Sequence, residues 1–226
     1  MGQAIGNTLP IMTAIMISPI PLAGLIVVLT SKRGPVKSIA FGMGFFAALW
    51  LPTFLLGWTG RKMMAGSGRS GAWSTWSNLI HGGLGAVLLI VGSVVFLNDL
   101  RKTLPATEPR WMKTFDSSSL LMVFAGGSCL VFVNPKNLPV VISATVDYAQ
   151  VSLGAVQLAI VVTAFAVMGS LLIFLPIVLV HLARERSAKL FARTRPWLIA
   201  HNAVILATIC VTVGAAMPGR AFLALG

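Results

Sequence analysis

Apolar runs of about twenty residues recur along the chain, and no other feature constrains its fold as strongly, because a helix of that length spans the ~30 Å hydrocarbon core of a bilayer. Apolar length, with the Gly, Pro and charge punctuation between runs, places six such segments at 6–30, 36–58, 78–98, 119–147, 152–182 and 198–217. Composition agrees: 57% of the 226 residues are hydrophobic and 10% charged, with a mean hydropathy of +0.90. The expected fold is an all-α polytopic membrane protein, one membrane domain over residues 1–226 with no separate soluble domain. The opening "MGQAIGNTLP" lacks the basic region of a secretory signal, so the first run is expected to be a mature helix.

The net charge of +12 would suggest nucleic acid in a soluble protein. Here the basic residues sit in short loops between apolar segments, where they report orientation, and no nucleic-acid partner is expected. The loops after segments one, three and five hold twelve of them, from Lys32 and Arg33 to Arg193 and Arg195, and the opposite side holds four: Arg61, Lys62, Arg69 and Arg220. Positive loops stay cytoplasmic, which places residues 31–37, 99–118 and 183–197 inside and both termini outside. Cys129 and Cys210 stand singly, without CxxC spacing or histidines placed as metal ligands, and read as two buried thiols. No metal and no cofactor is expected.

The polar, Pro-containing stretch 99–118 separates two halves, 1–98 and 119–226, that correspond in order. "SPIPL" at 18–22 matches "NPKNL" at 134–138, "AFGMGFFAALWLP" at 40–52 matches "AFAVMGSLLIFLP" at 164–176, and "LIH" at 79–81 matches "LIAH" at 198–201. Three spans per half is an odd number, so the second copy runs through the membrane upside down. This is a 3+3 inverted-topology repeat, an architecture of secondary transporters.

Ser18–Pro19 and Asn134–Pro135 each read as an N-cap followed by proline at the first helical position, which breaks helices one and four near mid-membrane. The inverted repeat then aims two helix N-termini at each other, a setting for anions or carbonyl oxygens. Lys136 adds a full charge beside one break. The candidate substrate-binding residues are Ser18, Pro19, Pro21, Asn134, Pro135, Lys136 and Asn137. The plain alternatives are prolines that only kink a helix mended by Ser or Asn, and a Lys136 that snorkels or pairs with Asp147. His81 and His201, at equivalent repeat positions, and Asp147 are the candidates for a proton-linked or secondary role, against hydrated histidines at an interface. The Gly42/Gly44 pair and "GGLG" at 82–85 read as packing surfaces.

The stretches "ISPIPLAGLIVVLTSKRGPVKSIAFGMGF", 17–45, and "VNPKNLPVV", 133–141, resemble the GAP family (sulfolipid-addressing protein-like) of the lysine exporter (LysE) superfamily. The resemblance covers the chain in segment order, and its specific part is those two motifs with the basic stretch after the first. It implies a six-helix inner-membrane protein of actinobacterial type that exports or flips a polar lipid or glycolipid towards the cell envelope. Ser18, Pro19, Pro21, Asn134, Pro135 and Asn137 match its broken-helix motifs. No catalytic role is implied, and the chain is read as not an enzyme. Expected partners are membrane lipids or a glycolipid cargo, with a second copy or other envelope transport proteins in any larger assembly. Small-solute export, of an amino acid or ion, is the runner-up. A thiol oxidoreductase lacks its paired cysteines, and a membrane adaptor is the remaining class.

Overall fold

The structure is a computed structural model that describes residues 6, 12–31, 33–66, 72–101, 118–151 and 153–223. Among these residues it is entirely helical. A short helical stretch at 12–16 precedes α1 (Pro19–Thr30), followed by α2 (Gly34–Gly66), α3 (Ala72–Leu100), α4 (Leu120–Val133), α5 (Asn137–Gln150), α6 (Ala155–Leu182) and α7 (Arg184–Leu223). Most of the expected linker, 102–117, lies outside the described residues. Four helical stretches are long and apolar enough to cross a membrane, 34–62, 76–100, 155–182 and 193–217, and α4 with α5 makes a fifth if the bent pair is one span. At 12 residues, or ~18 Å, α1 is shorter than a bilayer core.

The helix breaks follow from local chemistry. Pro19 drives Ser18 out of the helical region, to φ −127 and ψ 96, and the chain resumes as α1 with proline at its first position. The Ser18 side chain does not cap α1, contrary to expectation. Its hydroxyl turns back and donates to the Ile15 carbonyl at 2.8 Å, satisfying an acceptor left by the helical stretch that ends there. The second break differs more. Asn134 is the C-cap of α4, not an N-cap, and Pro135 stands in a turn, not in a helix. Asn137 N–H donates to Asn134 O at 3.0 Å, closing a β-turn with proline at its second position, and α5 begins only at Asn137 with Lys136 as its N-cap. The turn bends α4 against α5 by 79°.

Residues 184–197, expected as a cytoplasmic loop, are helical and continuous with segment six, which makes α7 40 residues long. Ala183 alone separates it from α6, and Ser187 ties the joint by donating to Leu179 O at 2.9 Å and Ala183 O at 2.7 Å.

Packing is organised around α2, which lies against α1, α4, α5 and α6, while α3 pairs mainly with α7. Close approach needs glycine at two crossings. A Cβ on Gly44 would strike the Phe124 carbonyl and one on Gly127 the Phe41 carbonyl, so α2 and α4 cross backbone to backbone, with Ser128 Oγ donating to Gly44 O at 3.0 Å. Gly92 meets Cys210 while Gly214 meets Gly85 and Leu89, a register that falls on α7 as it rises on α3; the two run antiparallel. Gly82 and Gly83 face open space, so of the three glycines in "GGLG" Gly85 is the one met by another helix. Pro52 and Pro176, which end the two similar stretches 40–52 and 164–176, both lie inside long helices, α2 and α6.

Candidate functional site

The two breaks meet at Lys136. Its side chain is 1% exposed, and its Nζ donates to Ala14 O, just before the first break, to Ser18 Oγ at 2.9 Å, and to Asn137 Oδ1 at 3.4 Å. Asn134 Oδ1 accepts from Lys136 N–H at 3.4 Å, and Asn137 Nδ2 donates to Val131 O at 3.0 Å, an orphan carbonyl of the last turn of α4. Ser18, 118 positions before Lys136, therefore joins Asn134, Lys136 and Asn137 in one buried polar cluster between two chain interruptions. Pro19 and Pro21 stand beside it, in the first turn of α1.

The helix ends supply fewer donors than the sequence suggested. Pro19 and Pro21 leave Ile20 with the one N–H among the first three residues of α1, and Pro139 removes another at the third position of α5. Proline makes these ends cheap to bury in an apolar setting, and it leaves the ammonium, not the amides, as the dominant positive group. Among the described residues no carboxylate touches Lys136; the expected alternative of a Lys136–Asp147 pair is not formed.

Asp147 is paired instead with His81. His81 Nε2 lies 3.2 Å from Asp147 Oδ1 with the two side chains 9% and 11% exposed, and His81 Nδ1 lies 2.8 Å from the Ser77 carbonyl. Gln150 Nε2 donates to Ser77 Oγ at 2.7 Å, completing a polar tie between α3 and α5. His201 is not part of it. It is exposed on α7, stacked on Trp197 with ring centres 4.7 Å apart. Ser77 and Gln150 were missed in the sequence, although each stands one helical turn from a residue that was singled out, Ser77 before His81 and Gln150 after Asp147.

Cys210 is buried on α7 within electrostatic reach of Lys136, whereas Cys129 is exposed on α4, off the face formed by Val123, Gly127, Leu130 and Val131. The described residues contain no group of His, Cys, Asp and Glu that could hold a metal ion.

Bilayer-length apolar helices packed about two chain breaks that share a buried lysine define the class, a polytopic helical membrane protein. Within it, the chain belongs to the family described as Sap, sulfolipid-1-addressing protein, whose sequence profile matches residues 9–221 and so includes both breaks, Lys136, His81 and Asp147. No curated protein and no solved structure matches it.

Proposed function

We propose that the protein carries an anionic polar lipid of the sulfated glycolipid class across the inner (plasma) membrane towards the envelope, with the headgroup seated at Lys136 and the acyl chains left in the bilayer. The observation that carries this reading is the buried Lys136 ammonium, held among the described residues by neutral oxygens alone at the junction of both breaks. A charge at such depth is costly unless paired, and its missing counter-ion is the kind of group a sulfated headgroup supplies. The family's link to sulfolipid addressing supports the same cargo class. The repeated element order, a short piece, a break, a short helix and two long helices, supports the six-crossing inverted repeat, with both termini outside and the lysine exporter superfamily as its wider kin. The protein acts as a carrier, not an enzyme, alone or beside other envelope transport proteins.

The enclosure of Lys136 favours a second reading, in which the site takes a small anionic solute or an amino acid. The two are separated by vesicles of purified protein assayed for transbilayer movement of a sulfated glycolipid, a neutral glycolipid and an amino acid. Under the lipid reading, Lys136→Ala lowers movement of the sulfated lipid by about tenfold or more, the size of one lost charge-assisted hydrogen bond. Asn134→Ala lowers it less, and Lys136→Arg rescues in part, since a planar fork replaces a compact ammonium. Amino-acid efflux without lipid movement selects the second reading. Full activity of Lys136→Ala with every substrate would reduce Lys136 to a structural tie.

A further inference from the structure

The far end of α5 carries a second site. Asp147 stands eleven positions after Lys136, three turns of helix, so both occupy one face of α5, with Ser143 between them. Ser143 is fully buried, and neither its Oγ nor Asp147 Oδ2 has a hydrogen-bond partner among the described residues.

Hydrogen-bond geometry bears on where the protons of the His81–Asp147 pair sit. The Ser77 carbonyl 2.8 Å from His81 Nδ1 only accepts, and as the shorter contact, against Ser77 Oγ at 3.4 Å from the same nitrogen, it favours a proton on Nδ1. Nε2 faces a carboxylate oxygen at 3.2 Å that, when ionised, also only accepts. Both contacts are attractive together only when one further proton is present, on Nε2 or on the Asp147 carboxyl. His181 and His201 make the same backbone bond from Nδ1, to Ile177 O at 2.8 Å and Trp197 O at 2.9 Å, and neither pairs with a carboxylate among the described residues. The arrangement is compatible with a proton shared by the pair, and the feature particular to His81 is Asp147.

We propose that His81 and Asp147 form the proton-binding site that couples transport to a transmembrane pH gradient, with α5 as the lever that joins it to Lys136. This rests on the transport reading above. α5 lies between the turn at 134–137 and the non-helical Val151, Leu153 and Gly154, so it is free to move as one piece. A proton taken from water adds to the pair, changes its net charge from −1 to zero and draws α3 onto α5. Its release on the other side leaves the Nε2 lone pair facing an anion, parts the two helices and shifts the end of α5 where Lys136 meets Ser18.

Among the described residues, other charged or titratable groups near the pair are few. From α2, Arg61 and Lys62 reach this end, where Gly60 meets Ala149, and both lie over the Trp58 ring at 4.5 and 5.1 Å. α5 itself brings buried Tyr148. The first turns of α6 bring none, and on α7, antiparallel to α3, Arg220 stands at the same end. Asp99, Arg101, His181 and His201 lie towards the opposite ends of their helices.

The test uses the full chain labelled with 15N-histidine in vesicles, with His181 and His201 as internal references. Between about pH 5 and 9, the His81 signals are expected to follow pH, and Asp147→Asn to move their midpoint, because it removes the neighbouring carboxylate. A sulfated glycolipid is expected to move the His81 midpoint by about half a pH unit, roughly threefold in proton affinity, because linkage between two sites is reciprocal. In the same vesicles, the ratio of lipid movement with and without an imposed gradient of about one pH unit is several-fold for the wild type and close to one for His81→Gln and Asp147→Asn. A ratio unchanged in both variants, or a His81 midpoint indifferent to both Asp147→Asn and the glycolipid, overturns the proposal. Wild-type lipid movement that ignores the gradient removes the coupling and leaves the transport reading standing. If no lipid moves at all, the transport reading fails; a midpoint still shifted by the glycolipid then upholds the linkage between the sites, and an unshifted one sinks it too.

Discussion

Lys136 has three N–H donors and three oxygen partners, so its hydrogen bonds are complete while its charge is not. That distinction makes Ser18 informative. Ser18→Ala removes one acceptor from a buried ammonium, and unfolding in detergent is expected to show a loss of about 1–3 kcal/mol. In the Lys136→Met background the same change costs much less, because no buried donor is left unsatisfied; equal costs in the two backgrounds would mean that the Ser18–Lys136 bond contributes nothing. At this scale the sequence singled out the polar residues that are unusual in apolar runs and not who meets whom. Lys136 stood out as a cation inside an apolar run, and His81 and Asp147 as polar groups in helices. That Asp147 would turn to His81 depends on α3 packing against α5, which hydropathy does not encode. Ser77 and Gln150 went unnoticed because a single Ser or Gln near a helix end is unremarkable until a partner is placed beside it.

Among the elements, the first break was legible because proline acts on its immediate predecessor wherever the chain goes next. The second was half legible. Asn-Pro opens turns as readily as helices, and Pro139, acceptable in a first turn, was the clue that α5 starts two residues beyond Pro135. The basic stretch "RERSAKLFARTR" read as loop by charge, yet Arg, Lys, Ala, Leu and Glu are good helix formers, and it extends α7. Helix contacts yield a test of their own. Gly127→Val places a branched side chain against the Phe41 carbonyl, with a cost of about 1–3 kcal/mol or failure to assemble. Gly83→Ala, where nothing lies within 4 Å, is expected to be neutral or to stabilise by up to about 1 kcal/mol through helix propensity. Matched unfolding midpoints for the two variants would show that the backbone crossing of α2 and α4 is not tight.

For the whole molecule, the open question is whether α4 and α5, bent by 79°, cross the membrane together or enter and leave on one side. Charge distribution decides between these. If the pair crosses, the basic residues Arg184, Arg186, Lys189, Arg193 and Arg195 share a side with Lys32, Arg33 and Arg101; if it re-enters, α6 carries all five to the opposite face. The second arrangement scatters the positive residues over both sides, against the bias that orients membrane proteins. Crossing is thus expected, with residue 119 cytoplasmic and residue 156 outside. Single cysteines at Ser119, Val156, Arg33 and Lys62, all exposed, in a background free of Cys129 and Cys210, are labelled in intact cells with an impermeant thiol reagent. Ser187, though in the basic stretch, is unsuitable at 4% exposure. Labelling of Lys62→Cys and Val156→Cys from outside, with Arg33→Cys and Ser119→Cys protected until the cells are permeabilised, is the expected pattern. Equal behaviour of positions 119 and 156 would make α4–α5 a re-entrant pair, and the inverted repeat would then have to be abandoned, because the second half would cross the membrane one time fewer than the pattern of the first requires.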